Sequence, residues 1–260
     1  MTTRSVFITG AAAGIGRATA LQFAREGFHV GIYDVDSRGL EELSQQILAA
    51  GGSVRAGLLD VTNVDQWRSA LEEFYNDTDS LDVLINNAGI LSSGKFAEIP
   101  LMRQKLIVDV NVNGVINGSH TAYHYLRDTP GSVVVNLCSA SAIYGQADLA
   151  TYGATKAAVK SLTEALDIEW SRHGIRVIAV WPLFVKTAMT EDMDAASIRH
   201  LGIHLTPEDV AGEIFKAATH RPKIPKVHYD IGFGTKVFSI VTKLSPNMVT
   251  RAFNRYYLSS

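Results

Sequence analysis

The chain has 260 residues, 47% hydrophobic and 19% charged, a formal net charge of -2 and no long polar run. It reads as an ordinary globular protein with enough apolar sequence for a large core in one domain or at most two. Lysines and arginines are spread along it, which excludes the electrostatic footprint that a nucleic acid partner needs.

The single cysteine, Cys138, rules out an intramolecular disulfide, and no Cys/His cluster has zinc-ligand spacing, so no metal is expected. Met1 to Arg4 leads straight into a short apolar run. That run is too brief for a signal peptide or a bilayer span, so cytoplasmic residence is expected. Asn76-Asp77-Thr78 and Asn117-Gly118-Ser119 are then chance sequons without secretory context.

In chain order, the expected strands are Val6 to Thr9, His29 to Tyr33, Ser53 to Leu59, Val83 to Asn86, Ser132 to Leu137 and Arg176 to Trp181. They alternate with segments of helical period, the rhythm of βα units around a parallel sheet. Nearly all are apolar on both faces, which suits a sheet covered by helices on both sides. No linker or repeat interrupts the series, so one α/β domain over residues 1–260 is expected, a doubly wound parallel sheet of about seven strands.

Beyond Trp181 the rhythm changes. Residues 186–206 form a mixed segment with Met189, Met193 and Ile198, a candidate substrate lid, and Thr206-Pro207-Glu208-Asp209 reads as an N-cap opening a helix. Over residues 235–260, Val237, Phe238, Ile240, Val241 and Leu244 recur at helical spacing. After Ser245-Pro246, so do Met248, Val249, Phe253, Tyr256 and Tyr257. Two amphipathic C-terminal helices are expected.

After the first strand the chain reads Thr9-Gly10-Ala11-Ala12-Ala13-Gly14-Ile15-Gly16-Arg17 and then continues as a helix through Ala24. Such glycines let the backbone turn tightly, bring amides against a pyrophosphate and pack a helix start close to the sheet. A glycine-rich turn alone is weak, since glycines also mark turns without a ligand. The second strand ends in Tyr33-Asp34, eighteen positions after Gly16, where an acid can accept from both ribose hydroxyls of an adenosine. Asp34 repels a 2′-phosphate, which favours NAD over NADP, although Arg17 and Arg38 stand near enough in sequence to soften the preference.

Tyr152 and Lys156, at i and i+4, emerge on one face of a helix and put an ammonium beside a phenol. A phenol with an ordinary pKa of about 10 is a poor base at neutral pH, and a nearby cation is expected to pull that value down. The same spacing is commonplace on helix surfaces, so the pair means little without its context. That context is Cys138-Ser139, delivered by a strand end thirteen residues before Tyr152, and Asn86-Asn87-Ala88-Gly89 at the end of another strand. Ligands of parallel sheets bind at that edge. Cys138 itself has no basic partner in view and reads as a small buried residue.

Taken together, Thr9-Gly10 with Gly14-Ile15-Gly16, Asp60-Val61, Asn86-Asn87-Ala88-Gly89, Asn111 followed by Gly114, Ser139, and Tyr152 with Lys156 stand in one order and spacing. From Ser5 to about Thr187 the chain resembles the classical short-chain dehydrogenases/reductases (SDR). The resemblance implies a Rossmann-type fold and a catalytic tetrad of Asn111, Ser139, Tyr152 and Lys156. Tyr152 then moves the proton of an alcohol or ketone as hydride passes to or from the nicotinamide. Ser139 steadies the substrate oxygen, Lys156 lowers the tyrosine pKa and holds the ribose, and Asn111 positions a water that connects Lys156 to solvent. The resemblance also implies that Gly10, Gly14, Ile15, Gly16 and Asp34 hold the cofactor. Asp60 and Val61 meet its adenine, Asn87, Ala88 and Gly89 run beside it, and Pro182, Val185 and Thr187 touch its nicotinamide end.

Two departures bear on the substrate. Leu183 stands where the family usually has glycine; leucine adopts positive φ only at a cost, so either the turn differs or the leucine shapes the pocket. The family's glycine-rich last strand is not recognisable in residues 227–234. The amphipathic pair that follows carries Lys236, Lys243, Arg251 and Arg255. It either closes the pocket, packs on another subunit or rests peripherally on a membrane surface. With Ser139, Tyr144, Tyr152, Leu183, Phe184, Met189 and Met193 as the expected substrate contacts, a lipophilic secondary alcohol or carbonyl compound is the expected substrate, and a homodimer or homotetramer the expected assembly. The other readings are a silent dinucleotide-binding sensor or scaffold and an epimerase or dehydratase of nucleotide sugars, for which the segment after Thr187 is short.

Overall fold

The computed structural model describes residues 3–143, 145–183, 185–187, 205–222 and 224–232. Its strands are β1 (Ser5–Thr9), β2 (His29–Asp34), β3 (Ser53–Leu58), β4 (Val83–Asn86), β5 (Val133–Leu137), β6 (Arg176–Pro182) and β7 (His228–Ile231). They form one parallel sheet in the order β3-β2-β1-β4-β5-β6-β7, the Rossmann-type arrangement. The order reverses between β1 and β4, which opens a crevice at the carboxyl ends of these strands.

Alternation along β1 divides the core. Val6 and Ile8 pack on one face with Phe23, Leu43 and Ile214. Phe7 points to the other face and packs with Tyr33, Trp67 and Phe74, stacked on Tyr33 at 4.0 Å and edge-on to Phe74 at 5.5 Å. Each such fully buried side chain contributes about 1.5–3 kcal/mol. Gly31 on β2 is what admits this cluster, because a Cβ there would stand 2.6 Å from the Phe74 ring.

The helices covering the two faces are α1 (Gly14–Arg25), α2 (Ser37–Ala49), α3 (Val64–Thr78), α4 (Leu101–Val108), α5 (Gly114–Asp128), α6 (Ala150–Trp170) and α7 (Pro207–Thr219). Their starts are legible in the side chains. Asp36 accepts from Arg38 N and Gly39 N, and Asn63 from Asp65 N and Gln66 N. Thr206 and Asp209 form a reciprocal capping box before Pro207, as the sequence led one to expect. No helix among the described residues is long and apolar enough to cross a membrane.

Two expectations need correction. Edge strand β3 is not covered on both faces: Ser53, Ala56 and Leu58 are exposed, and Arg55 pairs with Glu73 at 3.2 Å and with Asp77. A strand does form within residues 227–234. His228 to Ile231 pair with Ala179 to Pro182 of β6, and because β7 is an edge strand with only Ile231 buried, it carries no continuous apolar run. The C-terminal segment 235–260 and most of the expected lid lie outside the described residues. The lid's two ends are neighbours, for Val185 and Leu205 pair as an isolated parallel bridge and Lys186 N donates to Leu205 O at 2.9 Å.

Candidate active site

The crevice begins at the end of β1. Gly10 has φ +63° and Gly14 φ +52°, conformations that side chains other than glycine adopt at a cost. The turn is clamped to the end of β4. Thr9 Oγ1 accepts from Asn87 N and Ala88 N, both at 3.1 Å, and Asn87 Nδ2 donates to the carbonyls of Thr9 and Gly10, both at 2.9 Å. A Cβ on Gly10 would fall 2.8 Å from Ala88 Cα. Helix α1 starts at Gly14, after Ala13 as its N-cap, with no side-chain cap and no acid in its first turn, leaving its dipole and amides for an anion. This cradle fits a pyrophosphate.

Next along the sheet edge, Asp34 is pinned at the end of β2. Its Oδ2 accepts from Ala12 N at 3.0 Å and its Oδ1 from Val35 N at 2.7 Å and Asp36 N at 3.2 Å. The two arginines near it in sequence are engaged elsewhere: Arg17 donates to Gln46 at 3.0 Å and Arg38 to Glu42 at 3.1 Å.

Between α4 and α5 the helix widens into a π turn, Asp109–Asn113, and this extra residue per turn carries Asn111 into the interior. Asn111 is 1% exposed. Its Oδ1 accepts from Ile90 N at 2.8 Å, while Nδ2 donates to Ile90 O at 2.9 Å and to Thr155 Oγ1 at 3.2 Å. The direct partners of Asn111 are therefore the backbone of Ile90 and helix α6.

From the end of β5 the chain enters a short 3-10 turn, Ala140–Ala142, capped by Ser139. Tyr152 stands in the first turn of α6 and Lys156 one turn on. Lys156 Nζ lies 5.6 Å from the Tyr152 ring centroid and donates to Leu137 O at 2.6 Å. The expected lowering of the phenol pKa does not occur. Burial pushes Tyr152 up to about 12, with a Ser139 hydrogen bond acting in the opposite direction, and the same burial pulls Lys156 down. Desolvation penalises both charged forms, and at this site it outweighs their proximity. Burial also pushes the Cys138 thiol up to about 11; its Sγ donates to Lys156 O at 3.1 Å, in keeping with an inert buried residue.

A cavity of about 450 Å³ runs along this edge. It is lined by Gly10, Gly14, Ile15, Asp34, Asp60 and Val61 on the β1–β3 side. Asn87, Ala88 and Gly89 follow at β4, and Ser139, Tyr152, Lys156, Pro182, Leu183, Val185 and Thr187 on the β5–β6 side. Gly16 and Asn111 are packed behind the wall: a Cβ on Gly16 would meet the Gly10 carbonyl oxygen, and Asn111 Oδ1 lies 3.3 Å from where a Gly89 Cβ would be. Tyr144, Phe184, Met189 and Met193 lie outside the described residues. Leu183 is not among the described residues with positive φ and lines the cavity, so the leucine shapes the wall. Sequence reading missed Ile90, Leu91, Val110, Ser141 and Leu149 as wall residues. Ile90 and Leu91 directly follow the Asn86 to Gly89 motif, which is the one signal that pointed to them.

Residues 4–197 match the family model of short chain dehydrogenases. A 3-oxoacyl-(acyl-carrier-protein) reductase of Thermotoga maritima is 34% identical over 218 residues, 82% of this chain and 89% of that protein. A cyclohexanol dehydrogenase of an Acinetobacter species is 29% identical over 208 residues, 78% of this chain and 83% of that protein. Among solved structures, a 3-ketoacyl-(acyl-carrier-protein) reductase from Brucella melitensis complexed with NADH superposes with a TM-score of 0.80 at 29% identity, covering 89% of this chain and 98% of that one. With its parallel sheet and its motifs in place along one edge, this chain belongs to the short-chain dehydrogenases/reductases, oxidoreductases of alcohol and keto groups that work with a nicotinamide cofactor.

Proposed function

We propose that this protein is an NAD-dependent dehydrogenase or reductase of lipophilic secondary alcohols and ketones, with Tyr152 as the proton-transferring group. The observation that carries this reading is the meeting of Ser139, Tyr152 and Lys156 on the wall of the cavity that also holds the glycine turn and Asp34. The dinucleotide, when bound, supplies or accepts the hydride. Tyr152 Oη gives its proton to the carbonyl oxygen during reduction and recovers it during oxidation. Ser139 Oγ steadies that oxygen. Lys156 would hold the ribose of the bound cofactor beside the phenol, and Asn111, tied to Ile90 and to the Thr155 side chain, steadies helix α6 next to them.

The remaining wall favours an apolar substrate: Ile90, Leu91, Leu149 and Leu183 supply it, and burial against such side chains rewards hydrocarbon and penalises charge. A compact neutral ketone of the cyclohexanone kind suits it, in line with one relative's name, while a 3-oxoacyl thioester is the substrate suggested by the other. The test is oxidation of NADH by the purified protein, followed by absorbance, across a panel holding both kinds of carbonyl. Turnover with the apolar ring ketones supports the reading. Tight NADH binding with no oxidation anywhere on the panel would instead make the protein a dinucleotide sensor. For the assembly, α4 leaves Leu101, Met102 and Leu106 exposed, which favours a homodimer or homotetramer, measurable by light scattering.

The cofactor preference rests on Asp34. Its carboxylate is held by three backbone amides at the crevice, and neither Arg17 nor Arg38 lines the cavity. Asp34→Ala is expected to shift the ratio of kcat/KM for NADH over NADPH toward NADPH by about tenfold or more, as loss of a charge-assisted hydrogen bond and of one repulsion would give. An unchanged ratio would sink the ribose assignment.

A further inference from the structure

A serine hydroxyl has one proton and two lone pairs, and Ser139 has two claims on that proton. One is the Tyr152 oxygen, where a Ser139 hydrogen bond acts to lower the pKa of the phenol. The other is Ser141: Ser139 Oγ donates to Ser141 Oγ at 3.2 Å and accepts from Ser141 N at 3.2 Å. Ser141 Oγ in turn donates to Gln146 Oε1 at 3.4 Å. Ser139, Ser141 and Gln146 are 9%, 6% and 4% exposed, so bulk water does not compete strongly for these bonds. Both hydroxyl bonds are long, which makes the chain a bias rather than a lock. Its direction is set at the far end. A carbonyl oxygen only accepts, so the Ser141 proton goes to Gln146, and Ser141 has only lone pairs left for Ser139. The Ser139 proton is drawn away from Tyr152.

We propose, resting on the reading of Tyr152 as the group that moves the proton, that Gln146 is a positioning residue: through Ser141 it decides whether Ser139 donates or accepts at the reacting oxygen. In the arrangement seen, the Ser139 proton lies toward Ser141, which weakens its donation to the Tyr152 oxygen and so favours the protonated, ketone-reducing phenol. Turning the amide so that Nε2 faces Ser141 reverses the chain. Ser141 then donates to Ser139, both Ser139 lone pairs are taken, and its proton faces Tyr152, favouring the phenolate that alcohol oxidation needs.

Three variants separate the directions. Gln146→Leu leaves the Ser141 proton only Ser139 as acceptor, and Ser141→Ala removes the competing acceptor; both release the Ser139 proton toward Tyr152. Gln146→Glu keeps an acceptor at the far end. In alcohol oxidation with NAD, measured on the panel alcohol that the wild type turns over fastest, the pH at which kcat/KM reaches half its limit should fall by about one unit in Gln146→Leu and Ser141→Ala, the worth of one hydrogen bond to a charged oxygen. In Gln146→Glu it should stay or rise. Profiles of the first two that superimpose on wild type overturn the proposal, and so does an equal fall in all three, which loosened packing would give. A pH titration of isotope-labelled tyrosine Cζ, with the Tyr152 signal identified through Tyr152→Phe, reads the same shift in the protein without turnover. It keeps the relay testable should a retained activity of Tyr152→Phe remove the catalytic reading itself, and Ser141→Ala serves if Gln146→Leu folds poorly.

Discussion

Tyr152→Phe removes one oxygen from the cavity wall and is expected to lower kcat by about three orders of magnitude, the middle of the range for losing a positioned acid or base. NADH affinity should stay within about threefold, because the cradle at Gly10, Gly14 and Asp34 is untouched. The pH dependence of the wild type supplies the sign. Burial holds the phenol neutral to about pH 12, so the proton donor for ketone reduction is fully present at neutral pH, and reduction should be nearly flat from pH 6 to 9 as far as this group decides it. Alcohol oxidation needs the phenolate, whose fraction grows about tenfold per pH unit below the pKa. Oxidation should therefore climb steadily over the same range. Initial rates in both directions, with fluorescence titration of NADH, check the three expectations together. A Tyr152→Phe protein with near-normal kcat would remove the tyrosine from the chemistry, and an oxidation rate that is flat with pH would mean that Lys156 or the bound cofactor sets the phenol's state more strongly than burial does.

The difference between the expected and the found tyrosine marks where sequence reading stops. A spacing of four residues on a helix reliably places two side chains side by side, and the 5.6 Å separation of Lys156 from the Tyr152 ring follows from it. Which electrostatic effect wins depends on how many neighbours strip water from both groups, and those neighbours include residues outside the helix, with Leu137 and Ser139 at the end of β5 and Gly89 after β4 brought against the pair by the fold. Asn111 makes the same point. Its identity was legible, but its inward placement depends on the π turn at Asp109–Asn113, which leaves no mark in apolar periodicity. The strands of the inner sheet were legible because β1, β4 and β5 are buried along their whole length and so read as short, mostly apolar runs, with polar residues such as Thr9, Asn86 and Asn136 toward their carboxyl ends. Strand β7, half-exposed at the edge, had no such requirement, and His228, Tyr229 and Asp230 hid it. The chain Ser139, Ser141, Gln146 arises from a turn geometry that no motif encodes.

Gly16→Ala is the substitution with the largest expected effect on the fold of the site, and two opposing terms decide its sign. Gly16 lies in the first turn of α1 and does not have positive φ, so alanine gains up to about 1 kcal/mol of helix propensity there. Against this, its Cβ would stand 2.0 Å from the Gly10 carbonyl oxygen and 2.6 Å from Asn87 Nδ2. Neither neighbour can yield separately, because Asn87 Nδ2 donates to that same carbonyl and to Thr9 O. Moving either one opens the clamp between β1 and β4. Overpacking costs about 1–3 kcal/mol and each lost hydrogen bond about 1 kcal/mol more, so sterics win over propensity. The expected result is a Tm lower by about 5 °C or more and an NADH Kd raised at least about tenfold, since the amides of the turn no longer present one surface to the pyrophosphate. Gly212→Ala on α7 is the matched control. A Cβ at Gly212 meets nothing within 4 Å, its φ is not positive, and it lies inside the helix, so the same change should leave NADH binding alone and raise stability by up to about 1 kcal/mol. Thermal unfolding and NADH titration of the two variants side by side separate a glycine required by close backbone approach from one that is merely helical. Equal behaviour of the two would mean that the turn after β1 relaxes freely, and that its glycines are not what shapes the cradle.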